Sequence, residues 1–324
     1  MPLPVPSEPS RHELADAKCW EPDDQVPRRP DTTAFRRAAR LHQARWRDAH
    51  GLPIGTQPFV PKEGDDRWRY VGNRLPLAFA RESGANFVTA AALDAVRHRM
   101  AVTEPHQSID HQRLWADLLS SQALAFNLFG DATADPLLAE RIVRHWFPDA
   151  PDGRVTAVRF VHSPGRFDPD YLNSLRDFAV AFELRLADGT SGVVGVDVRY
   201  HERNKPETPK PQNRLWYEGV AHTSAAFTDD AIDELLGKTD RCEMWLEHLL
   251  LLSMLQHRSG EWTWGRYVVV HTDQNPDRVD LVARYRSHLV DDSTFATCTL
   301  TGLLDAGVLP DATERAVRGR YVLS

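Results

Sequence analysis

The sequence predicts an α/β (α+β) fold, a central mixed sheet flanked by helices with a helical segment ahead of it. Three observations lead there: helical spacing of apolar residues up to about residue 150, period-two alternation from Val155, and a helix, a strand and further helices after Asp240. The 324 residues are enough for one large or two modest domains, and 42% hydrophobic with 26% charged residues is the balance of a globular chain. Wholesale disorder and a polytopic membrane protein are excluded by the same figures.

Residues 1–30 carry prolines at 2, 4, 6, 9, 22, 27 and 30 with few periodic apolar positions, and read as an extended, flexible leader. They have no basic start and no sustained apolar run, so they are not a signal peptide. In residues 33–50, Phe35, Ala38, Leu41, Ala44 and Trp46 recur at helical spacing among Arg36, Arg37, Arg40, Arg45 and Arg47. This is a basic amphipathic helix whose charged stripe is either a solvated face or a nucleic-acid contact. A loop at 53–64 and a short segment around Trp68 to Tyr70 follow, then helices near 90–100, 112–129 (ended by Gly130) and 136–146 (stopped by Pro148 and Pro151). The domain organisation is therefore leader 1–30, helical segment 31–110 packed on the core, and core 111–324.

Residues 156–161 read as a strand, and 178–186 and 192–200 alternate on either side of Ala187-Asp188-Gly189. The stretch 203–214, with Pro206, Pro209 and Pro211, is a loop. A helix over 240–257 is apolar nearly all round and must be buried. Residues 267–270 form a strand, and helices near 278–288 and 297–305 finish the chain.

The hairpin register decides which side chains meet. A two-residue Asp188-Gly189 turn would pair Ala187 with Thr190. A three-residue loop pairs Leu186 with Thr190 and places Gly189 at the position that wants positive φ, so the turn chemistry selects it. One face then carries Phe178, Val180, Phe182, Leu184 and Leu186 with Val194, Val196, Val198 and Tyr200. The other carries Asp177, Ala179, Ala181, Glu183 and Arg185 with Gly195, Asp197 and Arg199. Asp177 faces Arg199, with Asp197 as its diagonal neighbour about 7–8 Å away by sheet geometry. Two carboxylates so placed can converge on a hard cation; an ordinary cross-strand Asp–Arg pair is the plainer alternative.

Asp177 opening one strand and Val-Asp197-Val-Arg199-Tyr closing the next resemble the active-site hairpin of the PD-(D/E)XK nuclease superfamily. More specifically, the chain is similar to a bacterial group of restriction-type endonucleases. The matching stretches run from about Phe35 to the end: residues 113–130 with their Ser-Ser-Gln and Phe-Asn-Leu-Phe-Gly strings, His162-Ser-Pro-Gly-Arg166, the hairpin, 245–256, 265–270 and Arg320-Tyr-Val-Leu. The resemblance implies a restriction-endonuclease-like core and a Mg²⁺-dependent endonuclease acting on DNA, Mn²⁺ substituting, in defence against foreign DNA. It implies Asp177 and Asp197 as side-chain metal ligands and Val198 as a carbonyl ligand. Arg199 departs from the pattern, standing where the family has Lys; a guanidinium can hold phosphate but cannot be a base. Gln122, Glu183, Glu202 and Lys205 are accessory candidates, Glu202 reading as surface-exposed, and His162 and Arg166 are phosphate-contact candidates. A nuclease-fold module that binds nucleic acid or a protein without turnover is the alternative, and a homodimer stays open.

Composition bears on this reading. The net charge is −7, and only five of the 39 basic residues are Lys, leaving 34 Arg. Local positive charge exists in 28–48, with seven Arg against Asp31 and Asp48. Cys19, Cys242 and Cys298 are odd in number and widely spaced, so no disulfide framework or cysteine zinc site is expected, and a reducing cytoplasmic setting is. No HExxH pattern organises the 14 His into a zinc site, and no apolar stretch is long enough to span a bilayer.

Overall fold

A computed structural model describes residues 8–19, 33–57, 69–203 and 205–323. Its centre is a five-stranded sheet with strands in chain order: β1 (Gly153–His162), β2 (Phe178–Leu186), β3 (Ser191–Arg199), β4 (Trp262–His271) and β5 (Phe295–Thr299). The β1–β2 and β2–β3 pairs are antiparallel; β3–β4 and β4–β5 are parallel. The parallel step needs a crossover, which the apolar helix Cys242–Leu255 supplies.

Two cores sit on the two faces. Val180, Phe182, Val194, Val196 and Val198 pack with the helices Ser121–Phe129 and Pro136–Trp146 on one side. Ala181, Val193, Tyr267 and Val269 pack with Cys242–Leu255 on the other. Local chemistry sets several helix starts: the Thr33, Thr89 and Asp135 side chains accept backbone N–H bonds at the heads of Ala34–Ala49, Ala90–Ala101 and Pro136–Trp146.

Four expectations need correction. Most of the Pro-rich leader lies outside the described residues, but its described part holds the helix Arg11–Asp16, closed by a reciprocal Ser10–Glu13 capping box. The single helix over 112–129 is two, His111–Ala116 and Ser121–Phe129. Asp117 breaks it: its backbone is extended, and its carboxylate accepts the Leu119 N–H and pairs with Arg74 at 3.1 Å. The helix over 297–305 begins only at Leu300, because Phe295–Thr299 is taken up as the outer parallel strand.

The fourth concerns the basic stripe of Ala34–Ala49, which is not a solvated face. Arg36, Arg40 and Arg47 are buried; Arg36 donates to the His201 carbonyl and Arg47 Nη1 to the Gly72 carbonyl at 2.9 Å. Arg37 and Arg45 pair with Glu8 and Glu13. Arg36 thus ties the helix to the core, while Arg47, Arg37 and Arg45 bond within the N-terminal part, Arg45 alone of these being exposed. Among the described residues no helix is long and apolar enough to cross a membrane. The three cysteines are free, and burial pushes the Cys19 thiol up to about 12.

Candidate active site

The hairpin turn behaves as the glycine demands. Leu186 N–H donates to the Thr190 carbonyl at 2.9 Å, Gly189 has φ +87°, and the pairing runs from Val180 with Val196 to Arg185 with Ser191. It does not reach Asp177 and Arg199. At the open end Phe178 lies on the opposite face from Val180, a correction to the sequence reading. Two features cause it. Val161, on the partner strand β1, has φ +51° and interrupts regular alternation, and Gly195 leaves a bare patch on which the Phe178 ring rests.

Asp197 and Arg199, two residues apart on β3, share the face that meets Cys242–Leu255. Arg199 is the centre of an ion cluster: its Nε lies 2.6 Å from Asp197 Oδ2, and its Nη2 lies 3.0 Å from Glu247 Oε1 and 3.1 Å from Glu243 Oε1. Glu243 and Glu247 are one helical turn apart, so both reach the same guanidinium. Tyr267 donates its hydroxyl to Glu247 Oε2 at 2.8 Å. Arg176 Nη1 stands 3.6 Å from Glu243. Burial and the neighbouring Asp197 charge push Glu247 well above the usual carboxylate range, against the pull of Arg199.

Asp177 belongs to a second group. Its Oδ2 accepts from Ser108 Oγ at 2.6 Å and from Arg166 Nη2 at 3.0 Å, and Arg166 also holds Glu104 at 2.6 Å. Burial raises the Asp177 carboxyl, with Ser108 and Arg166 opposing. Gln122 Nε2 donates to the Ser108 carbonyl at 3.1 Å, so it braces the loop that touches Asp177. Arg176, adjacent in chain to Asp177, joins the two groups through Glu243.

The other candidates are distributed as follows. Arg166 is spent on two carboxylates, and His162 lies 3.5 Å from Glu183, which Arg159 also pairs. Burial lowers the His162 imidazole below its ordinary range. Lys205 is exposed in its loop. Glu202, read as surface-exposed, is instead packed against the helix start: it accepts from Ser121 N–H at 3.1 Å, from Ser121 Oγ and from Arg113. Burial works to raise its carboxyl, but the Arg113 guanidinium and Ser121 outweigh it and hold Glu202 far below the usual range. Glu243 and Glu247 were not foreseen.

The order strand, hairpin, helix, strand, with an Asp-x-Arg ending the third strand beside buried helix carboxylates, can be set against known families. A family model of the PD-(D/E)XK nuclease superfamily matches residues 29–323. The chain belongs to the PD-(D/E)XK nuclease superfamily. No curated protein and no solved structure gives a match. Membership brings phosphodiester hydrolysis and, in general, a divalent metal ion.

The residues of this PD-(D/E)XK chain fit such an ion by charge and donor type. Asp197, Glu243 and Glu247 bring three carboxylates to one guanidinium, so the positive charge they face in this structure is that of Arg199. All are hard oxygen donors, as Mg²⁺ prefers. Among the described residues no three His, Cys, Asp or Glu side chains form a cluster that could hold a metal. The carboxylates match a hard cation in donor type, and Arg199 stands where they meet.

Proposed function

We propose that this PD-(D/E)XK nuclease is a Mg²⁺-dependent endonuclease that hydrolyses phosphodiester bonds of DNA, working in the cytoplasm in defence against foreign DNA. The observation that carries the reading is the convergence of Asp197, Glu247 and Glu243 on Arg199 at the end of β3, the strand end whose Asp-x-Arg resembles the superfamily's (Asp/Glu)-x-Lys. Asp197 and the Val198 carbonyl would hold the cation, Glu247 would support it from the helix, and Asp177 would join from the start of β2 in competition with its present partners, Arg166 and Ser108. The chemistry such a cation supplies is acidification of a water and neutralisation of charge on the scissile phosphate. Arg199 stays protonated throughout and so does not accept the proton of water; a phosphate contact would have to compete with the carboxylates it holds now.

The test is plasmid nicking with Mg²⁺ or Mn²⁺. Wild type cleaves, EDTA abolishes cleavage, and Asp177→Ala and Asp197→Ala each lose at least ~100-fold. Wild-type activity in both variants sinks the site. A second reading, a module that binds without turnover, is favoured by one observation: Arg199 Nε and Nη2 are already taken by three carboxylates. It requires DNA binding without cleavage and no gain in Arg199→Lys.

A further inference from the structure

The loop that delivers Asp177 carries an aromatic residue that the fold does not use. Phe167 follows Arg166, is 44% exposed, and holds φ +56°, a backbone region rare for an aromatic side chain. Its ring meets His106 edge to face at 5.0 Å between centroids, and His106 is itself exposed with φ +58°. Two neighbouring rings are thus each kept on strained backbone and turned to solvent. Phe167 N–H donates to the Ser174 carbonyl at 2.9 Å, which holds the loop in this form and leaves the outer part of the ring for a contact made outside the fold.

The surroundings give the chemistry of that contact. Lys210 Nζ stands 5.9 Å from the Phe167 centroid. Lys205 and Lys210, two of the five lysines in the chain, lie exposed on the Pro-rich 203–214 loop. This loop and its following helix are fastened to the Phe167 loop: Asn213 Nδ2 donates to the Asn173 carbonyl, and Trp216 Nε1 to the Pro169 carbonyl at 3.2 Å. The platform is therefore of one piece, an exposed ring with one ammonium beside it, and the residue before the ring is the Arg166 that grips Asp177. Aromatic faces stack on unpaired bases, and ammonium groups follow the phosphates between them.

We infer that Phe167, with His106 and Lys210, stacks an unpaired base of the substrate strand beside the active site, so that the substrate class is single-stranded or locally unpaired DNA. The inference rests on the proposed nuclease function and narrows its substrate. It is tested with oligonucleotides carrying 2-aminopurine, as a single strand and as a blunt duplex, with fluorescence and Kd measured in EDTA and cleavage in Mg²⁺. Wild type binds the single strand more tightly and quenches the probe. Phe167→Ala loses the quenching and about tenfold in single-strand affinity with little change on duplex, and Phe167→Trp restores both. Wild-type cleavage with Phe167→Ala binding and quenching unchanged overturns this inference alone. Equal loss on single strand and duplex also overturns it. No binding and no cleavage of either DNA by wild type overturns the nuclease reading, and this one with it.

Discussion

Glu247 shows how a buried, ion-paired carboxylate hides in a sequence. It lies in a helix whose apolar residues run nearly all round, and such a helix reads as pure core. The available signal was chemical: a carboxylate such as Glu247 inside a buried helix requires a partner, and Glu243 one turn earlier, half exposed, reaches the same one. Asp197 and Arg199 were legible because strand alternation and an Asp-x-Arg spacing name them directly. Glu202 was not, since its partners Arg113 and Ser121 come from elements distant in sequence. The upward shift of Glu247 leads to a prediction. Burial and the Asp197 charge work against the charged form, and Gln removes that charge at the same length, so Glu247→Gln should change stability by less than ~1 kcal/mol in urea unfolding. Metal-dependent cleavage by the same variant should fall about 100-fold. A large loss of stability with cleavage intact would place Glu247 in the scaffold instead. At Arg199, a gain in cleavage of tenfold or more in Arg199→Lys would mark an impaired site, because only an ammonium can lend itself to water activation.

Among elements, the β2–β3 hairpin was readable to the residue because a glycine fixed its loop, whereas its open end was not. Nothing in the alternation of 178–186 reveals that Val161 on the neighbouring strand takes φ +51° and sends Phe178 to the other face. Similar non-local effects hid other elements. The apolar spacing of 112–129 is continuous, yet Asp117 turns the chain toward Arg74, and Phe295–Thr299 becomes strand because β4 offers a parallel edge. The helices Arg214–Ser224, Asp229–Leu236 and Asp311–Tyr321 escaped notice since their exposed faces dilute the pattern. Gly195 is the element-scale test of the hairpin. A Cβ there would sit 2.5 Å from Phe178 Cε1, and that ring is fully buried, so it has little room to yield. Gly195→Ala should cost about 1–3 kcal/mol by overpacking, read from the urea midpoint, and the double variant Gly195→Ala with Phe178→Leu should recover part of it. No recovery would show that the ring does not rest on this glycine.

Across the whole molecule, buried polar groups tie the helical segment, the sheet and the C-terminus together, and they set its response to acid. Arg320, wholly buried near the C-terminus, donates to the Asn86 carbonyl at 2.7 Å, to Asn86 Oδ1 and to Gln43, and its guanidinium lies 4.6 Å from the Trp46 centroid. It carries no pH dependence; His248 does. That imidazole is enclosed by Tyr285 Oη and Thr294 Oγ1, each at 2.9 Å, with the Tyr267 ring stacked 5.6 Å away, and burial pushes it down to about 3. In the unfolded chain a histidine titrates near ~6.5, so below that pH the unfolded state binds the proton that the folded state refuses. The stability His248 contributes is therefore complete above about pH 6.5 and declines toward pH 3, by about 1.4 kcal/mol per pH unit. His248→Gln keeps a hydrogen-bonding side chain and removes the proton site. Urea unfolding of wild type and variant at pH 6.5, 5.5 and 4.5 should show the wild-type advantage shrinking by about that amount per unit. A difference in stability that stays constant across the series would mean that His248 accepts its proton in the folded protein, and that the core around Tyr267 and Tyr285 is open to water.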